Sequence, residues 1–339
     1  MTPSLTRRAR RLVNRPYYWY RPSQLALRLR AGGAGNGAGD GGLRLLRTAW
    51  GSQLHCWPDP LGNSIARTGT YDLIVAETLA RLADPGETAV DAGANVGVMS
   101  NLLAHAVGPS GRVLSFEPHP LVFRALSANV ARWREVERID TVDARPAAVS
   151  AAAGTLPLGI ESDEFARNKG TASLEGAAHD KGTALEGAAA AQAPVGGGDR
   201  DPPHTIDVRT VRLADELESP VGVMKLDVEH HELAALRGAE PLLAQGLIRD
   251  VLFEEHRPPP TPVTALLEEH GYTVLGLRQG TIGPLLSTPA QAYSKQLWDP
   301  PALLATRDPE RARRRLRRRG WVSLTTQLRG AAAVRASAA

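Results

Sequence analysis

Cysteine is almost absent: Cys56 is the only one in 339 residues, so no intramolecular disulfide can form and a reducing compartment is expected. Cys56 itself reads as a small, inert apolar residue. No uninterrupted apolar run reaches the roughly 20 residues needed to span a bilayer. The N-terminus carries arginines but lacks the apolar centre of a secretory signal, so the sequence reads as cytoplasmic. Also missing is an Asn-Pro-Pro-Tyr-like motif of the kind used by enzymes that flip bases, and nucleic acid is therefore not an expected substrate. What is present is ordinary for a globular chain, with 42% apolar and 22% charged residues, which excludes wholesale disorder.

The net charge of +4 conceals an asymmetry: residues 1–50 carry +9, residues 301–339 carry +8, and the body between them carries −13. The densest basic run is RARRRLRRRG at 311–320. Arginine blocks of this kind are either solvated tails or surfaces for anionic partners, including a peripheral membrane contact. Residues 1–42 read as a basic segment ending in the linker AGGAGNGAGDGG, residues 43–300 as the folded domain, and residues 301–339 as an arginine-rich tail. Within the domain, KGTASLEGAA (169–178) recurs as KGTALEGAA (181–189). Two copies are too few for a solenoid, so about 169–203 reads as a loop insertion with a possible lid role.

Elsewhere, short apolar runs alternate with helical periodicity. ETAVDAG reads as a strand entering a turn, VGVMSNLLAHAVG as a helix, GRVLSFEP as the next strand, and VGVMKLDV and IRDVLFEEH as buried strands. This alternation argues for a mostly parallel α/β sheet with right-handed crossovers. The turn after the first of these strands is the chemically informative one. In VDAGANVG, Asp91 ends a strand and Gly93 and Gly97 follow, so backbone can come close to a ligand at a helix N-terminus. Glu117 ends the next strand, 26 residues beyond Asp91, where a carboxylate can accept hydrogen bonds from both ribose hydroxyls. A dinucleotide fingerprint wants a middle glycine, and Asn95 stands there instead. A nucleoside with no pyrophosphate and an amino-acid end, such as S-adenosylmethionine, suits this turn better.

AVDAGANVGVMSNLLAHAVGPSGRVLSFEPHP resembles motif I and the following acidic strand of class I S-adenosylmethionine-dependent methyltransferases in the form found in the FkbM family. VRTVRLADEL, VMKLDVEHHELAALRGAEPLL, VLFEEH and RNKGTASL resemble that family's later elements in order, over about residues 68–280. The resemblance implies a Rossmann-like seven-stranded sheet, helices on both faces and the last strand antiparallel. It further implies that Asp91, Gly93, Asn95 and Gly97 line the methionine end of the cofactor, that Glu117 holds the ribose, and that Asp143 contacts the adenine. His230 departs from the family pattern, which has glycine there.

Methyl transfer to a hydroxyl needs a positioned acceptor and a base for its proton. KLDVEHHE supplies the groups: Lys225 and Asp227 share a strand face, and Glu229 follows. Asp227 or His256 is the candidate base and Glu229 the group that positions the acceptor, a hydroxyl on a sugar, glycan or other small molecule. Two rivals remain at this point, an NAD(P)-dependent oxidoreductase and a non-catalytic binder of nucleic acid or anionic membrane. A divalent ion held by the same acids and histidines is a further alternative, although no metal spacing is evident.

Overall fold

The structure is a computed structural model, and it describes residues 42–160, 168, 173–174, 204–293, 301–326 and 328. The basic N-terminal segment and nearly all of the repeat insertion lie outside these residues.

The chain enters through an antiparallel hairpin, β1 (Arg44–Arg47) and β2 (Gln53–Cys56). Two helices follow, α1 (Pro60–Thr68) and α2 (Leu73–Leu82). α1 starts where Asp59 accepts a hydrogen bond from the Gly62 N–H and Pro60 takes the first helical position, and it stops at Gly69 with φ 79°. The α/β units are β3 (Thr88–Ala92), α3 (Val98–Val107), β4 (Arg112–Phe116), α4 (Pro120–Arg132) with a π-helical turn at Trp133–Glu137, and β5 (Val142–Arg145). Next come β6 (Ala148–Val149), β7 (Gly154–Ile160), β8 (Ser173–Leu174), β9 (His204–Val211) and α5 (Leu213–Glu216). The second half contains β10 (Val221–Leu226), α6 (Glu232–Gly238), α7 (Glu240–Ala244), β11 (Ile248–Glu254), α8 (Pro262–Glu269), β12 (Thr273–Gln279), β13 (Pro284–Ser287) and α9 (Pro289–Ala292). β14 (Ala302–Thr306) and α10 (Pro309–Leu316) close the fold.

The main sheet has eight strands in the order β13-β12-β14-β11-β10-β3-β4-β5. Its central members β3, β4, β10 and β11 pair in parallel, and every residue of β3 and β10 is buried, as expected for strands covered on both faces. One face packs against α2, α3, α4 and α10, with Trp50, Trp133 and Trp321 fully buried, and the other against α6 to α9. The mostly parallel α/β reading therefore holds, with one strand more than the seven expected, because β13 folds back on β12 as an edge hairpin. A small separate sheet, β6-β9-β7-β8, flanks the main one, so VRTVRLADEL supplies β9 to this second sheet rather than to the first.

The assignment of residues 301–339 to a tail needs correcting. β14 runs antiparallel between β11 and β12, inside the sheet, and is the expected antiparallel last strand. It was hidden because five apolar residues next to a long arginine run are outweighed by that run's charge. The arginines are divided by role. Arg311 is buried against Asp84 and Asp250, and Arg315 pairs with Asp84. Glu77, fully buried, accepts from Arg81 Nε at 2.6 Å, from the backbone N–H groups of Val322 and Ser323 at 2.9 and 2.8 Å, and from Ser323 Oγ at 2.7 Å. Removing one partner of a buried ion pair typically costs about 3–5 kcal/mol. Glu77→Ala should lower the unfolding free energy by about that much in denaturant titration, and truncation after Pro300 should prevent folding, since it deletes an internal strand.

Candidate cofactor and acceptor site

The carboxyl ends of β3, β4, β10 and β11 open into a cavity of about 140 Å3 that is continuous with solvent. Ligands of open α/β sheets bind at this end. The β3 turn bounds it. Gly93, Asn95 and Gly97 all have positive φ, at 78°, 50° and 92°, and Gly97 caps α3 in the left-handed conformation. Gly93 lines the cavity, but its lack of a side chain serves a different contact from the one the sequence suggested. A Cβ there would fall 1.7 Å from the Asp227 carbonyl oxygen, so glycine is required for the turn to close against the end of β10. Gly97 lies off the lining, where a Cβ would strike Leu126 and Trp133.

Asp91 also lies behind the lining. It is fully buried, accepts from Ser100 Oγ at 2.6 Å through Oδ2, and faces the Lys225 ammonium at 3.5 Å through Oδ1. Lys225 donates to the Gly93 carbonyl at 3.2 Å and sits 3.1 Å from Asp227. Burial works against its charge, but Asp227 and Asp91 together hold the ammonium above its ordinary pKa. Glu117 reaches the cavity and accepts backbone N–H groups of Asn95 and His119, each at 2.9 Å. Burial raises its pKa to about 7, opposed by those two N–H groups and Lys225 and reinforced by Asp91.

Asp143 is corrected. Its carboxylate is bound by Arg112 at 2.8 Å and Arg145 at 2.9 Å, which hold its pKa down against burial, and it does not line the cavity. Ala147 and Ala148, just beyond β5, line that side instead. His256 is corrected as well: it is exposed, off the lining, with its ring 4.0 Å from that of His230. Asp227 and Glu229 do line the cavity, joined by Asp72 and Glu254. Glu254, at the end of β11, reaches the cavity where His256, two residues on, does not. Burial, then the carboxylates of Asp227, Asp72 and Glu229, raise its pKa to about 9, with Lys225 opposing. Asn168, from the RNKGTASL stretch, also reaches the lining.

His230 stands where the family has glycine and takes φ 71°, directly after Glu229 at φ 49°. The left-handed conformation costs a side-chain-bearing residue roughly 1–2 kcal/mol. The glycine-type backbone is thus kept despite the substitution, and Glu229 is held at the cavity wall by a strained turn. Among the described residues no three His, Cys, Asp or Glu side chains converge as a metal ion requires, and no helix is long and apolar enough to cross a membrane.

The lining selects among nucleotides. Among the described lining residues Lys225 is the only cation, and it is already engaged by two carboxylates, so the described lining offers no free positive charge to a pyrophosphate. Apolar walls from Phe116, Pro118, Ala147 and Leu158, together with an acid for ribose hydroxyls at Glu117, fit an adenosine without phosphates. An eight-stranded sheet with one antiparallel strand inserted before its hairpin edge, and a phosphate-free nucleoside site at its carboxyl end, define a methyltransferase-type α/β protein.

Comparison with known proteins agrees. Residues 91–274 match the methyltransferase FkbM domain, and the chain belongs to the FkbM methyltransferase family. It is 35% identical over 211 residues to the 31-O-demethyl-FK506 methyltransferase FkbM of Streptomyces tacrolimicus, covering 56% of this chain and 74% of that one. It is 29% identical over 203 residues to the methyltransferase sdnD of Sordaria araneosa, covering 55% and 73%. Among solved structures it is similar to a methyltransferase FkbM from Methylobacillus flagellatus, with a TM-score of 0.38 and 16% identity over 66% of this chain and 43% of that chain. At that score the likeness carries no weight beside the strand order itself. Family membership makes S-adenosylmethionine the methyl donor and removes the dinucleotide-dependent oxidoreductase as a rival.

Three buried glutamates make ligand-free stability fall with pH. Folded pKa values of about 7 for Glu117 and Glu232 and about 9 for Glu254 exceed the unfolded value of about 4.4. The folded state therefore keeps protons that the unfolded state releases. Stability falls from about pH 4.4 upward, through about 7 for the first pair and about 9 for Glu254, and the loss levels off above those values. Glu254→Gln, neutral at every pH, should stabilise the ligand-free protein at pH 8 and flatten the alkaline slope in thermal melts. An unchanged slope would mean that Glu254 is not the group titrating.

Proposed function

We propose that the protein is an O-methyltransferase acting on a hydroxyl of a sugar, glycan or other small-molecule acceptor. The observation that supports this most is the placement of Asp227: it lines the cavity beside the Gly93 turn, with its carboxylate 3.1 Å from a buried ammonium. The name of the Streptomyces tacrolimicus relative, an O-methylating enzyme, points the same way.

When bound, S-adenosylmethionine supplies an electrophilic methyl group. Glu117, once ionised, accepts the ribose hydroxyls, and the alanine and phenylalanine walls exclude water around the base. Lys225, 3.1 Å away, holds the Asp227 carboxylate in place, so that Asp227 takes the acceptor hydroxyl's proton as the oxygen attacks. Glu254, protonated at neutral pH, donates a hydrogen bond to a neighbouring oxygen of the acceptor. Glu229 accepts a second acceptor hydroxyl from its strained turn. Two carboxyl groups in different surroundings within one cavity, Asp227 beside a cation and Glu254 among acids, divide the work of base and donor.

Two measurements check this account. Affinity for S-adenosylmethionine should fall about tenfold for each pH unit below about 7, because binding requires the ionised form of Glu117, and Glu117→Ala should lose both the affinity and the pH dependence. With radiolabelled donor and a panel of polyhydroxylated acceptors, Asp227→Asn should lower kcat by about 100- to 10,000-fold while S-adenosylmethionine binding is retained. Unchanged turnover in Asp227→Asn, or label recovered on nitrogen or sulfur, would contradict O-methylation through Asp227.

A further inference from the structure

The arginine run at 311–320 is only half consumed by the fold. Arg314, Arg317, Arg318 and Arg319 remain exposed, and among the described residues none is paired with a carboxylate. They are held on a rigid frame. The Arg81 guanidinium donates to the carbonyls of Arg318 and Gly320 at 2.6 and 2.7 Å, and Arg81 is itself fixed by buried Glu77. This pulls the backbone of the turn inward and leaves its side chains facing out. The exposed acids of this segment, Asp308 and Glu310, lie at the opposite end of α10.

The hairpin between β12 and β13 docks on the same turn. The Gly320 N–H donates to the Ile282 carbonyl at 2.7 Å, and Trp321 Nε1 donates to the Thr281 carbonyl at 3.3 Å. Beside the polar Gln279 and Thr281, this hairpin exposes two aliphatic side chains: Ile282 is 56% exposed and Leu285 53%, two of the few large apolar residues left in solvent among the described residues. Guanidinium groups and uncovered aliphatic side chains therefore share one rigid surface. Phosphates of any kind would satisfy the arginines, but Ile282 and Leu285 gain only where an apolar phase is available, as at the headgroup boundary of a bilayer.

We propose that the α10 turn and the β12–β13 hairpin form a docking surface for an anionic lipid bilayer, with Arg314 and Arg317 to Arg319 on the headgroup phosphates and Ile282 and Leu285 inserted beside them. The surface is separate from the cavity and does not depend on which acceptor is methylated.

Co-sedimentation of the full chain with phosphatidylcholine–phosphatidylglycerol vesicles, against phosphatidylcholine alone, tests it. Binding is expected only to the anionic vesicles and should weaken with salt. The triple variant Arg317→Ser, Arg318→Ser, Arg319→Ser keeps the backbone carbonyls bound by Arg81 and should lower the partition coefficient about a hundredfold, at about 1 kcal/mol per arginine. Ile282→Ser with Leu285→Ser should lower it several-fold more weakly, with both variants melting as the parent does. Three results would overturn the proposal. One is no preference for anionic vesicles. Another is undiminished binding by the triple variant, which would assign the effect to the N-terminal arginines. The third is serine at 282 and 285 leaving vesicle binding unchanged while duplex DNA displaces the vesicles, which would make the surface a general polyanion site.

Discussion

The Lys225 ammonium lies 3.1 Å from Asp227, 3.5 Å from Asp91 and 3.2 Å from the Gly93 carbonyl, so one buried cation ties β3, its turn and the end of β10 together. Two carboxylates ending neighbouring strands would repel one another in a low-dielectric interior, and the turn between them could not close. With the ammonium in place, Gly93 packs directly on the Asp227 carbonyl. That contact sets the cavity wall, brings Asn95 within reach of Glu117, and turns Asp227 toward the opening. The geometry of the site thus depends on this ammonium, and its loss leaves the buried Asp91 carboxylate without its countercharge.

The site also holds its carboxyl groups in unlike surroundings. Asp227 is paired with a cation, whereas Glu254, surrounded by burial and other acids, keeps its proton up to about pH 9. Burial raises the pKa of Glu117 to about 7. Each of these positions costs stability in the ligand-free state, and the strained Glu229–His230 turn adds to that cost. Strain and unfavourable ionisation gathered at a cavity mouth mark a surface shaped by its ligand rather than by folding.

Much of this was legible in the sequence where residue type and spacing map directly onto chemistry. Gly93, Asn95 and Glu117 were readable as cavity-lining positions from a strand-turn-helix pattern, whereas Asp91 and Gly97 of the same pattern lie behind the lining, and the alternating elements gave the parallel sheet. Three features were not legible. β14 was masked by the arginines that follow it, because whether Arg311 is buried depends on Asp84 and Asp250, 227 and 61 residues away, partners brought together only by folding. Glu254 and His256 are two residues apart, so which of them enters the cavity depends on where β11 stops, the least predictable feature of a strand. Asp143 looked like an adenine contact until Arg112 and Arg145 claimed it.

The most direct test of the central claim, that this cavity takes a phosphate-free adenosine organised by Lys225, is calorimetric titration of the intact protein and of Lys225→Met with S-adenosylmethionine and, separately, with NADH. The account predicts saturable S-adenosylmethionine binding by the parent protein, none by Lys225→Met, and no NADH binding by either. Binding of NADH by the parent, or undiminished S-adenosylmethionine binding by a folded Lys225→Met, would contradict it.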